Sequence, residues 1–394
     1  MKNQNSFVRN TSLFATLLII LTVLYPSFVF ASAGNAIFVL GKVDVISPAG
    51  TTLKLKKGMN VNSGDKIVTY RKGQVMIKMT DNSKITVRPD STLIVKDYKY
   101  YKTQQKDKAH YEILAGTFRS ITGAIGKSNK KAFKLKMPVG TMGIRGTDFV
   151  ARYGKDGFYV DVNNGGVRIR NGNGSIDVSP GDFGHIGRDG SAPVFTEQLP
   201  DGMTIFAKDD DENAASQEEE MSAIAIRDSE GDTRGAIGEL VRAGLPSQAI
   251  IVGGEAMGME ETEVIEQLIE SSPDSTQLME QLIEDMPDQA GNILTMGIAK
   301  NKLNADQATS IMKSRGGDAK VLDSAIALGN LMAPSEKDKE ERRKEREDKK
   351  NQIESSEGGT IRSKVEAAPV EESTTDPQLI PGSGTGGGED ASPS

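Results

Sequence analysis

The chain has 394 residues, no cysteine, no tryptophan and two histidines, which excludes a disulfide framework, a thiolate metal site and a cysteine nucleophile and leaves little for a histidine-based enzyme. With 26% charged residues, 37% hydrophobic residues and 42 glycines, it reads as a soluble chain of two or three domains with loop-rich or disordered parts. The net charge of -7 hides an asymmetry: residues 34–200 hold 27 Lys+Arg against 14 Asp+Glu, and residues 201–394 hold 19 against 41. A basic front and an acidic back predict separately folded parts that dock on each other, or a basic part that meets an anionic surface.

Residues 1–33 read as an export signal. Lys2 and Arg9 precede an apolar run from Leu13 to Phe30, and Ala31-Ser32-Ala33 supplies the small residues of a cleavage site after Ala33. The run is also about long enough for an uncleaved anchor, but Pro26 near its end favours cleavage. No cysteine follows it, so a lipoprotein is excluded. The cleaved chain has no other stretch able to span a membrane, and its address is the periplasm or the cell exterior.

Residues 34–200 carry a strand–turn–strand pattern. Val75, Ile77 and Met79 alternate with polar partners, Asp81-Asn82-Ser83 turns the chain, and Ile85 and Val87 resume the alternation. Val167 and Ile169 alternate with Arg168 and Arg170, Asn171 to Gly174 form a turn, and Ile176 and Val178 follow. Many short strands predict an all-β domain: a sandwich, a roll or a short solenoid. Residues 201–220 form an acidic linker, within which Asp209, Asp210, Asp211 and Glu212 and then Glu218, Glu219 and Glu220 read as linker or as the start of a helix.

From 221 to 335 the apolar period is helical. The segment from Val264 to Glu270 recurs from Leu278 to Glu284, 14 residues later, and Pro246, Pro273 and Pro287 punctuate the units. A helix of about three turns plus a short connection fits that offset, and such helices must stack in a repeat array or an irregular bundle. Residues 336–352 are almost wholly charged, a helix or linker. Residues 353–394, rich in Ser, Gly, Glu, Thr and Pro, form a disordered tail. The fold class is thus β followed by α, with a tail.

Several segments resemble the FecR domain family. They are Gly64-Asp65-Lys66-Ile67-Val68-Thr69, then Asp81-Asn82-Ser83-Lys84-Ile85-Thr86-Val87-Arg88-Pro89, then Leu114-Ala115-Gly116, and above all Arg145-Gly146-Thr147-Asp148-Phe149. The resemblance covers about residues 36–190. Members named after the iron-citrate regulator place this domain in the periplasm behind a cytoplasmic anti-sigma segment and a membrane helix. This sequence opens instead on an export signal, so the resemblance implies a stand-alone exported protein that binds or scaffolds in the envelope.

Two candidate interaction sites emerge. In Arg145-Gly146-Thr147-Asp148, Arg145 offers a planar five-donor fork to an anion, or it closes an internal bond to Asp148 or to backbone, with Gly146 supplying the turn. Lys127, Lys130, Lys131, Lys134 and Lys136 form the second, a basic surface for an envelope protein or an anionic glycan or lipid. Export argues against nucleic acid. Gly126-Lys127-Ser128 lacks the upstream glycine of a phosphate loop, the histidines lack metal-ligand spacing, and Asp209 to Glu212 lack the geometry of a calcium loop. No catalytic residue, cofactor or metal is expected. The leading function is a non-enzymatic binding or scaffold protein. A periplasmic module sensing a transporter is the first alternative, and a wall-glycan enzyme is the second.

Overall fold

The computed structural model describes residues 32–103, 105–204 and 216–335, and beyond them positions 340, 343, 344, 347 and 348. The signal up to residue 31, the acidic stretch Asp209 to Glu212 and the tail from 353 lie outside the described residues, as does most of the charged segment 336–352. Residues up to Ala333 form one unit. In the second, Glu340 pairs with Arg343 at 3.1 Å and with Lys344 at 3.9 Å, the spacing of helical neighbours.

The alternating pattern produces 17 strands among the described residues, in two sheets that share one strand. The first sheet runs in the order β4 (Asn60–Asn62), β1 (Ser32–Leu40), β6 (Gln74–Met79), β7 (Lys84–Val87), β9 (Lys108–Ile121), β12 (Asp148–Gly154), β13 (Gly157–Asn164), β16 (Phe183–Ile186) and β17 (Val194–Thr196). The second runs β3 (Thr52–Lys54), β2 (Val43–Ile46), β5 (Lys66–Thr69), β8 (Thr92–Lys99), β9 again, β10 (Phe133–Met137), β11 (Gly140–Ile144), β14 (Val167–Asn171) and β15 (Gly174–Val178). Every neighbouring pair is antiparallel except β9 and β10. The two hairpins read from alternation form in register, with Ile77 opposite Ile85 and Ile169 opposite Ile176.

The inward faces meet in one aromatic core. Phe118 and Phe149 come from the first sheet, Tyr111 and Phe133 from the second, and Phe133 meets Phe149 edge-on at 6.0 Å across the sandwich. Strand β9 changes sheets at Gly116, whose φ of 84° suits a glycine. Its first half pairs with β8 and β10 and its second half with β7 and β12. Ser32 and Ala33, the last residues of the expected signal, belong to β1. Ala33 is buried and its carbonyl accepts from the Thr80 amide at 2.9 Å, so cleavage after Ala33 would shorten that strand by its first two residues.

A short helix α1 (Ala124–Ser128) joins β9 to β10, and eight longer ones follow the sandwich: α2 (Gln217–Arg227), α3 (Thr233–Ala243), α4 (Ser247–Ala256), α5 (Glu261–Ser271), α6 (Ser275–Asp285), α7 (Ala290–Ala299), α8 (Ala305–Ser314) and α9 (Ala319–Met332). From α2 onward they begin every 14 to 16 residues. The two copies of the sequence repeat are α5 and α6. Helices pack on the helix two places along (α2 on α4, α3 on α5, α5 on α7 and α7 on α9), a stacked array of repeating units. Side chains of Asp232, Asp274, Asn304 and Asp318 cap α3, α6, α8 and α9. Helix α2 begins at Gln217, inside the segment expected to be linker. Ser216 and Glu219 form a capping box there, and Glu218, Glu219 and Glu220 occupy its first turn, where the helix dipole favours acid.

Leu268 on α5 is wholly buried in the helical core. Leu268→Ala is expected to cost about 2–5 kcal/mol through the cavity it leaves, read as a lower denaturation midpoint of the helical signal.

Candidate interaction surface

The helical array packs on the first sheet over β1, β6, β7 and the second half of β9, while Val194 and Phe195 of β17, at the far end of that sheet, are exposed. Leu40 of β1 and Met76 of β6 belong to the same buried cluster as Met221, Ile226 and Ile237 of α2 and α3. Polar contacts follow the apolar ones. The Gln74 side-chain amide donates to the Met221 carbonyl at 3.1 Å, the Lys57 ammonium to the Ala243 carbonyl at 2.8 Å, and Arg71 to Glu230 at 2.6 Å.

At the centre of this junction, Glu220 of α2 sits between two arginines of the sandwich. One carboxylate oxygen pairs with Arg88, which follows β7, and the other lies 2.9 Å from Arg119 of β9. The three side chains are 4% to 5% exposed. Arg119 also forms a two-pronged bond to Asp148, at 2.9 and 2.6 Å, and Arg88 donates to the carbonyls of Gly202 and Met203 at 3.0 and 2.8 Å. Burial, and then the neighbouring Arg119 charge, press the Arg88 guanidinium below its ordinary range. A cavity of about 610 Å³ beside the junction also receives Arg152 and Arg227. Both are held within the chain: Arg227 donates to Asp228 at 2.8 Å and Arg152 to the Asp201 carbonyl at 2.9 Å.

The Arg145-Gly146-Thr147-Asp148 segment joins β11 of the second sheet to β12 of the first, so its two charged ends face opposite ways. Asp148 points to the junction and holds Arg119. Thr147 is buried, and its amide and carbonyl both bond to Thr122. Gly146 has φ of 80°, and a Cβ on Gly165 would lie 2.0 Å from the Gly146 carbonyl oxygen. The Arg145 backbone amide donates to the Gly166 carbonyl at 2.8 Å. Its guanidinium is 52% exposed and meets Asp177 of β15 at 3.0 Å, in place of the expected bond to Asp148.

The five candidate lysines are all exposed and lie on three successive elements. Lys127 lies on α1, and Lys130 and Lys131 on the single turn Lys130–Ala132 that follows it. Lys134 and Lys136 lie on β10 and point away from the core, since Phe133, Leu135 and Met137 are buried. The structure joins these two to Arg168 and Arg170 of β14, which sequence reading recorded only as the polar side of a strand. The available signal was their period of two. Missing was the register, in which Thr141 pairs with both Lys136 and Arg170.

Carboxylates on this outer face of the second sheet are shared. Glu112 meets Lys96 at 3.1 Å and Lys136 at 3.3 Å, and Asp177 meets Arg168 at 2.5 Å and Arg145 at 3.0 Å. Among the described residues no carboxylate pairs with Lys134 or Arg170. Hydrogen bonding from Arg168 lowers the pKa of Asp177. Burial alone would raise Glu112, but bonds from Lys96 and Lys136 outweigh it and hold the carboxyl low. Both groups therefore stabilise the fold fully above their ordinary values of 3.8 and 4.5, and lose that contribution as pH falls through their lower folded values. Asp177→Asn is expected to flatten the acid limb of a stability–pH curve, measured by denaturation between about pH 2 and 5.

Residues 65–168 match the family model described as FecR protein, a span that includes the whole of β9 and the Arg145 segment. No curated protein matches the chain. Among solved structures, a candidate anti-sigma factor from Parabacteroides distasonis is 11% identical, with a TM-score of 0.28. That match covers 33% of this chain and 58% of the other, so this chain spans little more than half of that relative's length. A cell surface anchoring domain is 27% identical over 16% of this chain and 82% of its own, with a TM-score of 0.16.

Proposed function

We propose that the chain is an exported, non-enzymatic binding or scaffold protein of the bacterial envelope. Its FecR-like sandwich would hold an anionic envelope polymer or an acidic protein. The observation that carries this reading is the unequal use of the sandwich's two faces. Helices pack on the β1, β6, β7 and β9 part of the first sheet and their carboxylates meet its cations, while the second sheet keeps a positive face open. No helix among the described residues is long and apolar enough to cross a membrane. The helical array, residues 217–332, offers a second surface.

The test is retention of envelope extracts on the immobilised full chain. Salt-sensitive retention is expected, because exposed charges are screened beyond about 10 Å at 0.1 M salt. No retention at any salt concentration would end this reading. The FecR match favours a second one, a periplasmic module sensing a transporter. It predicts capture of the periplasmic segment of an outer-membrane receptor rather than of a polymer.

A further inference from the structure

We infer that the open face of the second sheet is a trough for one linear polyanion, a polymer with phosphate or carboxylate groups at regular intervals, lying along β11. The inference rests on the binding reading above and names its occupant.

The trough follows from register. On β11 the outward residues are Thr141 and Gly143. Gly143 has no side chain, and nothing lies within 4 Å of where its Cβ would be. Lys134 and Lys136 rise from β10 on one side, and Arg168 and Arg170 from β14 on the other. Neighbouring strands are about 4.8 Å apart, so the two banks are separated by roughly 10 Å. Alternate residues on one strand are about 7 Å apart, so each bank presents cations in a regular row. Arg145 extends the arginine bank at the end of β11. The floor is low at Gly143, at Thr141 the Arg170 guanidinium leans onto it with a bond of 3.3 Å, and the width between the cationic banks suits a single polymer chain.

The side chains also favour this occupant over others. Strands β10, β11, β14 and β15 direct no aromatic ring outward. A nucleic-acid strand or a sugar face read by stacking would use such rings, and a protein partner would need a desolvated apolar or aromatic anchor. The backbone of β11 is paired on both sides, so it adds no edge for strand addition. What remains is charge recognition. The six cations Lys96, Lys134, Lys136, Arg145, Arg168 and Arg170 face two carboxylates, Glu112 and Asp177. The pairs to those carboxylates hold four of the cations in place.

The test titrates the full chain with long-chain polyphosphate and, separately, with polygalacturonate, at low and high salt. Tight, salt-sensitive binding of either is expected, and the arm that binds identifies the anionic group. The double variant Lys134→Glu, Arg170→Glu should bind about tenfold more weakly or worse. Gly143→Leu keeps every charge and fills the floor, and it should also weaken binding about tenfold. Lys54→Glu, on the edge strand β3, should change binding less than about twofold. Unchanged denaturation midpoints establish that the variants fold. If Gly143→Leu binds as the parent does, or Lys54→Glu weakens binding as much as the trough variants, the attraction is diffuse and the trough is refuted. If the chain takes up anionic vesicles or an acidic protein from extracts but neither polymer, the trough is refuted while the binding reading stands. Failure to bind polymers, vesicles and extracts alike refutes both.

Discussion

Glu220→Ala is expected to cost about 3–5 kcal/mol, because it removes one carboxylate from between two buried guanidinium groups and leaves both in place. Arg119 keeps the Asp148 carboxylate and Arg88 keeps two carbonyls, so the loss falls mainly on Arg88. Glu220→Gln keeps the shape and loses the charge, so it should fall between Ala and the parent. Lys84→Ala cuts the more exposed pair to Glu218 at 2.8 Å and should cost less than about 1 kcal/mol. With no tryptophan in the chain, the measurement is urea denaturation followed by helical circular dichroism. A loss below about 1 kcal/mol for Glu220→Ala would mean that water reaches these arginines and the junction is not held by this carboxylate. The buried cluster is also little screened by salt. Moderate salt is therefore expected to leave the helical array docked while it releases whatever the open cationic face holds.

That contrast explains what the sequence could and could not convey. The excess of basic residues in 34–200 is visible by counting, but its division between two faces is a property of register. Hairpins such as β6–β7 and β14–β15 are local, and alternation plus a turn finds them. The parallel pairing of β9 with β10, and the sharing of β9 between sheets, depends on long-range contacts that no local period encodes. The repeat was legible because identical apolar spacing recurs at 14 residues in α5 and α6. The run Glu218-Glu219-Glu220 reads from sequence either as linker or as the start of a helix, and α2 takes the second. Its capping box and the burial of Glu220 become visible only once α2 lies on the sandwich. Lys127 to Lys136 looked like one patch because they are close in sequence. They lie on a helix, a turn and a strand, and β11 brings Arg168 and Arg170 across to Lys134 and Lys136.

The same strand that escaped sequence reading gives the second large expected effect, in Gly116→Val. At Gly116, β9 leaves the pairing of Thr92 with Ala115 and enters that of Tyr153 with Gly116. The positive φ there strains any side chain, at about 1–3 kcal/mol. Space is absent as well: a Cβ would lie 2.1 Å from the Ser91 hydroxyl and 2.4 Å from the Ser91 Cα. Ser91 cannot yield freely, since its hydroxyl accepts from the Thr117 amide at 2.8 Å and its own amide donates to Thr69 at 2.9 Å. Overpacking against such a fixed neighbour costs about 1–3 kcal/mol more. The combined loss, about 3 kcal/mol or more, falls on the strand that carries Arg119 toward the helices and Glu112 toward the open face. Gly116→Val should therefore lower the stability of the sandwich and weaken both the junction and polyanion binding. Gly143→Leu, on the half-buried floor with nothing within 4 Å of its Cβ position, should leave stability unchanged. Equal denaturation midpoints for Gly116→Val and the parent would show that β9 can change sheets without a left-handed residue, and the account of how one strand serves both faces would fail.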